Sequence, residues 1–125
     1  IFNIDNFQIF RQRSDTTQVE NVLKKIASII RDSVTEIDRV ARIGEDEFAV
    51  VLPEKNKRYA TQIAENIRSK IELTFSEELD VTKRITVSAG VSENPLDGVE
   101  AGDLMMKARE SLNLAKMQGK NRVIG

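Results

Sequence analysis

One stretch constrains the fold more than any other, the segment DRVARIGEDEFAVVLP at residues 38–53. Two β-prone runs, 38–43 and 48–52, flank the polar segment 44–47. Such runs on either side of a glycine-containing turn are typical of a β-hairpin. The pattern therefore predicts a hairpin over 42–52 with Gly44–Asp46 exposed at its tip and Phe48 buried. This hairpin should lie beside the end of a strand at 1–4.

The tip of this hairpin carries three consecutive carboxylates, Glu45, Asp46 and Glu47. Neighbouring like charges repel at short range, and a plain turn is made without that cost by Asn-Gly or Asp-Gly. Acidic side chains on a stiff hairpin also suit divalent cations, which prefer oxygen ligands. The pattern alone therefore leaves two interpretations open, a solvated acidic turn and a cation site.

The composition limits the chemistry and the partners of this chain. Its 19 basic and 20 acidic residues nearly balance, so charge predicts neither a nucleic-acid partner nor membrane contact. The chain has no Cys and no His, which leaves carboxylates, Lys, Arg and a bound metal as the reactive groups. No apolar run is long enough to span a bilayer and no leader is recognisable, so we expect a cytoplasmic protein.

Hydrophobic periodicity predicts the element order β-α-α-β-β-α-β-α-β in one domain over 1–125. The clearest helix covers 18–34, where Thr17 and Glu20 fit a capping box. Asp5 is placed to cap a short first helix, and Asn56 a later long one. This order predicts an α+β fold with helices packed on a mainly antiparallel sheet.

The hairpin letters RIGEDEF at 42–48 resemble the signature of the GGDEF family, the diguanylate cyclase domains. Gly44, Asp46, Glu47 and Phe48 match that signature, and Glu45 replaces its second glycine. The segments TVSAGV at 86–91 and AKMQGKN at 115–121 are also similar to the family. The resemblance implies a ferredoxin-like, nucleotide-cyclase-like palm. It also implies that the N-terminal part of the family domain is missing from this sequence.

The resemblance also implies an activity, the joining of two GTP molecules into cyclic di-GMP with Mg²⁺ or Mn²⁺ across a homodimer. It assigns catalytic roles to Glu47 and Asp46, and it places the metal at Asp46, Glu47, Asn3 and Ile4. It assigns nucleotide binding to five further positions, which are Arg11, Glu20, Gly44, Lys116 and Lys120.

Several of these positions depart from the family pattern. Asn3 stands where a metal-binding Asp is usual, and Arg11 and Glu20 stand at the positions that select guanine. Glu20 could accept hydrogen bonds from guanine or serve its capping box. Glu45 could oppose a triphosphate or point into solvent. The product-feedback site is expected to be absent, because Thr35 replaces its arginine although Asp38 remains.

Three functions follow as hypotheses. The first is a degenerate GGDEF domain with weak or no binding of GTP or another guanine nucleotide. It would have a regulatory or dimerising role beside the other domains of a larger bacterial cyclic di-GMP signalling protein. The second is an active diguanylate cyclase. The third is a ferredoxin-like interaction domain without nucleotide. None of them involves nucleic acid or membrane contact by this domain.

Overall fold

The computed structural model describes all residues 1–125 and contains the predicted order of strands and helices. The strands are β1 (Phe2–Ile4), β2 (Arg39–Arg42), β3 (Glu47–Val51), β4 (Val87–Gly90) and β5 (Val123–Ile124). The α-helices are α1 (Phe7–Gln12), α2 (Thr16–Asp32), α3 (Lys57–Phe75) and α4 (Ala101–Met117), and a 3₁₀ turn covers Val81–Lys83.

The five strands form one sheet in the order β2-β3-β1-β4-β5. Every neighbouring pair is antiparallel except β4 and β5, which are parallel. The first strand therefore lies at the centre of the sheet, between the hairpin and β4. This arrangement confirms the predicted α+β fold with a mainly antiparallel sheet.

Alternation along the central strands separates two faces of the sheet. Phe2, Ile4 and Phe48 point to one face, where they join a hydrophobic core with isoleucines of α2 and α3. Side chains alternate along a strand, so Asn3 and Glu47, which are paired across β1 and β3, lie on the opposite face. The polar residues of the candidate site thus share the face that the main core leaves free.

Helix α4 covers part of that second face at close range. A Cβ placed on Gly90 of β4 would overlap the backbone carbonyl oxygen of Ala108 in α4. A glycine at this position therefore allows the helix backbone to rest directly on the strand. The close approach fixes the height of α4 above the sheet, and with it the position of the side chains that follow Ala108.

The helix starts differ in two places from the prediction. The capping box of α2 is formed by Asp15 and Gln18, so the predicted box of Thr17 and Glu20 is wrong. The letters at 15–18 fit the same pattern, and the helix begins two residues earlier than expected. Asp5 does not cap α1, which begins after Asn6 in a left-handed conformation. Asn56 caps α3 as predicted.

None of the helices combines the length and the apolar character that crossing a lipid bilayer requires.

Candidate functional site

The hairpin tip is held in place by the first residue of its own signature. Arg42 donates from Nε to the carbonyl oxygen of Gly44 at 3.0 Å and from Nη2 to that of Glu45 at 2.7 Å. Gly44 and Glu45 are exposed, Asp46 is half-buried and Phe48 is buried. The exposure of Gly44 and Glu45 and the burial of Phe48 are confirmed, whereas Asp46, which was also predicted to be exposed, is half-buried.

The end of β1 lies directly beside this tip. The Ile4 N–H donates to the carbonyl oxygen of Asp46 at 2.8 Å, and Asn3 Nδ2 lies 3.5 Å from the same oxygen. The Asn3 residue is only 6% exposed and is paired with Glu47 across the two strands. The structure therefore brings together all four residues predicted to surround a metal, and the Asp46 carboxylate has no hydrogen-bond or ion-pair partner.

The Glu47 carboxylate is occupied by an arginine from α4. Nη1 of Arg109 lies 2.9 Å from Oε2 and 3.2 Å from Oε1 of Glu47. The Glu47 side chain is 17% exposed and that of Arg109 is 44% exposed. The residue predicted to bind metal and activate a hydroxyl is thus already in contact with a cation that the chain itself provides.

The Glu45 carboxylate is paired with Arg11 of α1 in an ion pair at the surface. Both side chains are about half exposed, so the pair contributes little to stability. Glu45 is therefore half exposed at the tip and has Arg11 as its ion-pair partner. The same contact engages the guanidinium of Arg11, which was predicted to contact guanine.

In this conformation, Asp46 is the one hairpin residue whose carboxylate is free to hold a divalent cation. Mg²⁺ is usually held by one or two carboxylates together with substrate phosphates and waters. Asn3 contributes no charge, and the carboxylates of Glu45 and Glu47 each face an arginine. The structure contains no group of three acidic, His or Cys side chains placed to hold a metal ion.

The predicted phosphate-binding lysines behave differently from each other. Lys120 Nζ donates to Asn6 Oδ1 at 2.6 Å, next to the end of β1. Lys120, Asn121 and Asn6 all have positive φ, at 65°, 48° and 55°. A left-handed backbone conformation is uncommon in non-glycine residues. These three residues all lie near the C-terminal end of β1. Lys116 is half-buried in the last turn of α4 without a hydrogen bond or ion pair.

Glu20 stands apart from the other candidate residues. It is exposed on α2, and its side chain makes no hydrogen bond and no ion pair. The structure places no contact between Glu20 and the hairpin tip. Its predicted role in guanine selection stays a prediction.

Asp5, which the sequence suggested as a helix cap, is a buried acceptor that joins three elements. Its Oδ1 accepts from Ser88 Oγ at 2.7 Å, and its Oδ2 accepts from Thr86 Oγ1 at 2.8 Å and from the Asn121 N–H at 3.0 Å. This network fastens the end of β1 to β4 and to the chain that leads into β5. It supports the candidate site without being part of it.

Asp38 and Thr35 are hydrogen-bonded to each other. They lie at the position where a product-feedback site was expected to be absent. Asp38 Oδ2 accepts from the N–H and the hydroxyl of Thr35, and Oδ1 accepts from Lys55 Nζ at 3.1 Å. Burial raises the pKa of Asp38, but the hydrogen bonds from Thr35 and Lys55 outweigh it and hold the pKa below its usual value. The Asp38 carboxylate is therefore not available to a ligand in this conformation.

A cavity lies at the opposite end of β1 from the hairpin tip. It has a volume of about 640 Å³ and is lined mainly by apolar residues such as Val51, Ile63 and Leu104. None of the predicted site residues lines it. The candidate site is consequently separate from this cavity.

Two residues of the site were missed by sequence reasoning. Arg42 is the first letter of the hairpin motif, so its position beside the turn was a usable signal. Arg109 lies 62 residues after Glu47, and nothing in the local sequence around either residue indicates their contact. Only the packing of α4 against the sheet brings these two side chains together.

Comparison with known proteins gives a consistent family. The family model for the diguanylate cyclase, GGDEF domain, matches residues 1–122. An uncharacterised protein of Bacillus subtilis, YhcK, is 34% identical over 97% of this chain, which covers 34% of that protein. The probable diguanylate cyclase DgcT of Escherichia coli is 27% identical over 99% of this chain and 28% of its own length. The chain thus spans about a third of the curated relatives it matches.

Solved structures show the same architecture. The GGDEF domain of DgcB from Caulobacter crescentus, solved in complex with c-di-GMP, has a TM-score of 0.85 and 25% identity. The match covers 98% of this chain and 73% of that one. The active GGEEF domain of a diguanylate cyclase from Vibrio cholerae has a TM-score of 0.83 and 25% identity, covering 98% of this chain and 78% of that one.

Proposed function

Because the chain belongs to the GGDEF family of diguanylate cyclases, we propose that it is a degenerate GGDEF domain of a cyclic di-GMP signalling protein. It binds guanine nucleotide weakly or not at all and serves as a regulatory or dimerising module. The observation that carries this proposal is the pairing of Glu45 with Arg11 and of Glu47 with Arg109. Arg109 neutralises the signature carboxylate of Glu47, and Glu45 engages the guanidinium of Arg11, a residue predicted to contact guanine.

The charge around the hairpin supports the proposal. A metal–nucleotide complex needs carboxylates that are free to hold the cation while lysines hold the phosphates. Of the three hairpin carboxylates, that of Asp46 alone has no ion-pair partner. The neighbouring side chain of Asn3 is a neutral amide. Any cation that enters must displace an arginine or bind beside its positive charge, and both lower its affinity.

The guanine side of the site supports the same proposal. Arg11 is a donor-only side chain, and its guanidinium is engaged by Glu45. Guanine would have to break that pair before Arg11 could reach its O6 and N7 acceptors. The Glu20 side chain is exposed, and no neighbouring residue holds it in a fixed conformation. Its contact with guanine would therefore carry the full entropic cost of ordering that side chain.

The proposed partners follow from the size of the relatives. The chain spans about a third of the curated proteins that it matches, so a GGDEF domain of this type works beside other domains. We place its role in contacts with those domains or with a second copy of the chain. Product feedback through the segment at 35–38 is not part of this role, because Thr35 cannot replace an arginine that binds phosphate.

The experiment is a calorimetric titration of the chain with GTP, with and without Mg²⁺, using ATP as the control nucleotide. The proposal expects binding weaker than about 1 mM, which corresponds to about −4 kcal/mol, and little dependence on Mg²⁺. Binding of GTP in the micromolar range that requires Mg²⁺ and is absent with ATP would contradict it.

A second candidate function, an active diguanylate cyclase, is favoured by one observation. The Asp46 carboxylate is half-buried beside β1 and has no partner, and Glu47, Lys116 and Lys120 are all retained. In this alternative, binding of nucleotide moves Arg11 and Arg109 away from the hairpin. Accumulation of cyclic di-GMP that Glu47→Ala abolishes would establish it.

A further inference from the structure

Arg109 is placed at Glu47 by the close packing of α4 on the sheet. The backbone of α4 meets β4 at Gly90, where a Cβ would overlap the carbonyl oxygen of Ala108. Arg109 is the next residue along the helix, so its backbone position is set by this contact. The guanidinium needs only a normal side-chain extension to reach the strand pair that carries Glu47.

The geometry at Glu47 is that of a carboxylate holding one cation with both oxygens. A single nitrogen, Arg109 Nη1, lies within 3.2 Å of Oε1 and within 2.9 Å of Oε2. A bidentate carboxylate presents the same two oxygens to a metal ion. The arginine nitrogen and a divalent cation would therefore compete for one position.

We propose that Arg109 is a built-in counter-ion that occupies Glu47 and keeps a divalent cation from binding there. The inference rests on the proposed function, since it names the residue that disables the cation position of the same site. Arg109 also opposes the cation by charge, because a positive group within a few ångströms repels a metal ion even after its hydrogen bonds to Glu47 are broken. Glu47 belongs to the family signature, and its ion pair with Arg109 makes its carboxylate unavailable to a metal ion.

The test measures binding of Mn²⁺ alone, without nucleotide, by calorimetry and by the electron paramagnetic resonance signal of free Mn²⁺. We expect Arg109→Gln to raise the Mn²⁺ affinity about tenfold over wild type, or about 1.4 kcal/mol. Arg109→Lys keeps the positive charge and should stay within about threefold of wild type. The double variant Arg109→Gln, Glu47→Gln should lose the whole gain.

Arg58→Gln is the matched control, because it removes the same charge as Arg109→Gln. Arg58 is exposed on α3 and has no ion pair. It should leave Mn²⁺ affinity unchanged. Arg109 is 44% exposed, so its replacement should preserve the fold, and a thermal melt of each variant verifies this. If Arg109→Gln did not fold, Arg109→Met would take its place, since it keeps the apolar stem.

An Arg109→Gln affinity less than about threefold above wild type, including no measurable binding, would overturn the inference. So would a gain that persists when Glu47 is also replaced. The outcome is separate from that of the proposed function. Cyclic di-GMP made by wild type ends the proposed function whatever Arg109→Gln does, and a missing Mn²⁺ gain ends this inference while the proposed function stands.

Discussion

Replacing Asp5 tests how the end of β1 is held in place. Asp5 is 5% exposed, and its two oxygens accept three hydrogen bonds from Ser88, Thr86 and Asn121. The three donors come from positions 81 to 116 residues further along the chain. Asp5→Ala removes every one of these bonds, and Asp5→Asn changes only the charge and one oxygen.

The two replacements should lower the free energy of unfolding by different amounts. Hydrogen bonds to a charged group are worth about 1.5–3 kcal/mol each, and an unsatisfied buried donor costs about 1–3 kcal/mol. Ser88 Oγ already accepts from the Asn121 N–H at 3.1 Å, so the losses overlap rather than add. We therefore expect Asp5→Ala to lower the free energy of unfolding by about 3–5 kcal/mol. That corresponds to a fall of about 10–20 °C in Tm for a domain of 125 residues.

Asp5→Asn can keep most of the network. The amide nitrogen can take the place of Oδ1 and donate to Ser88 Oγ, which accepts as well as donates. The amide oxygen then takes the place of Oδ2 and accepts from Thr86 and Asn121. The cost should be about 1–2 kcal/mol, because neutral hydrogen bonds replace charge-assisted ones.

Urea unfolding followed by circular dichroism gives both values, with the slope checked for two-state behaviour. If Asp5 were only a helix cap, Asp5→Ala would cost about 1 kcal/mol and Asp5→Asn almost nothing, since Asn caps helices as well as Asp does. That pair of results would refute the buried network. Equal and large losses for both variants would also refute it, because the donors described here can accommodate Asn.

Two further predictions concern the feedback position and the cation position. Asp38→Asn should cost about 1–2 kcal/mol at pH 7, because an amide nitrogen would face Lys55. The pKa of Asp38 is lowered in the folded state, so its stabilisation is present above the unfolded pKa and is lost as pH falls through the folded pKa. The difference between wild type and variant in urea melts should therefore shrink below about pH 4, and a difference that grew on acidification would be a contradiction. Asn3→Asp together with Glu45→Gly should raise Mg²⁺-dependent GTP affinity about tenfold, more than either change alone, and calorimetry showing no gain in the double variant would count against it.

The hairpin and the element order were predictable because both depend on local pattern. Period-2 alternation on each side of a glycine-containing turn defines 42–52, and it also requires Phe48 to be buried. The placement of the hairpin tip beside the end of β1 was predicted as well, and the structure adds the register that pairs Asn3 with Glu47. These features need only neighbouring residues and general rules of sheet formation.

The contacts that decide the chemistry were not predictable, because each joins distant parts of the chain. Asp5 has the local sequence of a helix cap, and only the folded sheet shows that its partners lie on β4 and before β5. The direction of Glu45 depends on Arg11, and the state of Glu47 depends on Arg109. The start of α2 was misplaced for another reason, since two overlapping segments fit the capping-box pattern equally well.

The most direct test of the central claim is a search for product. Wild type at high concentration is incubated with GTP and either Mg²⁺ or Mn²⁺, and the mixture is separated by chromatography with cyclic di-GMP as the standard. Glu47→Ala at the same concentration gives the background. A degenerate GGDEF domain should produce no cyclic di-GMP above that background with either metal. Cyclic di-GMP that accumulates with time in wild type and is absent from Glu47→Ala would contradict it.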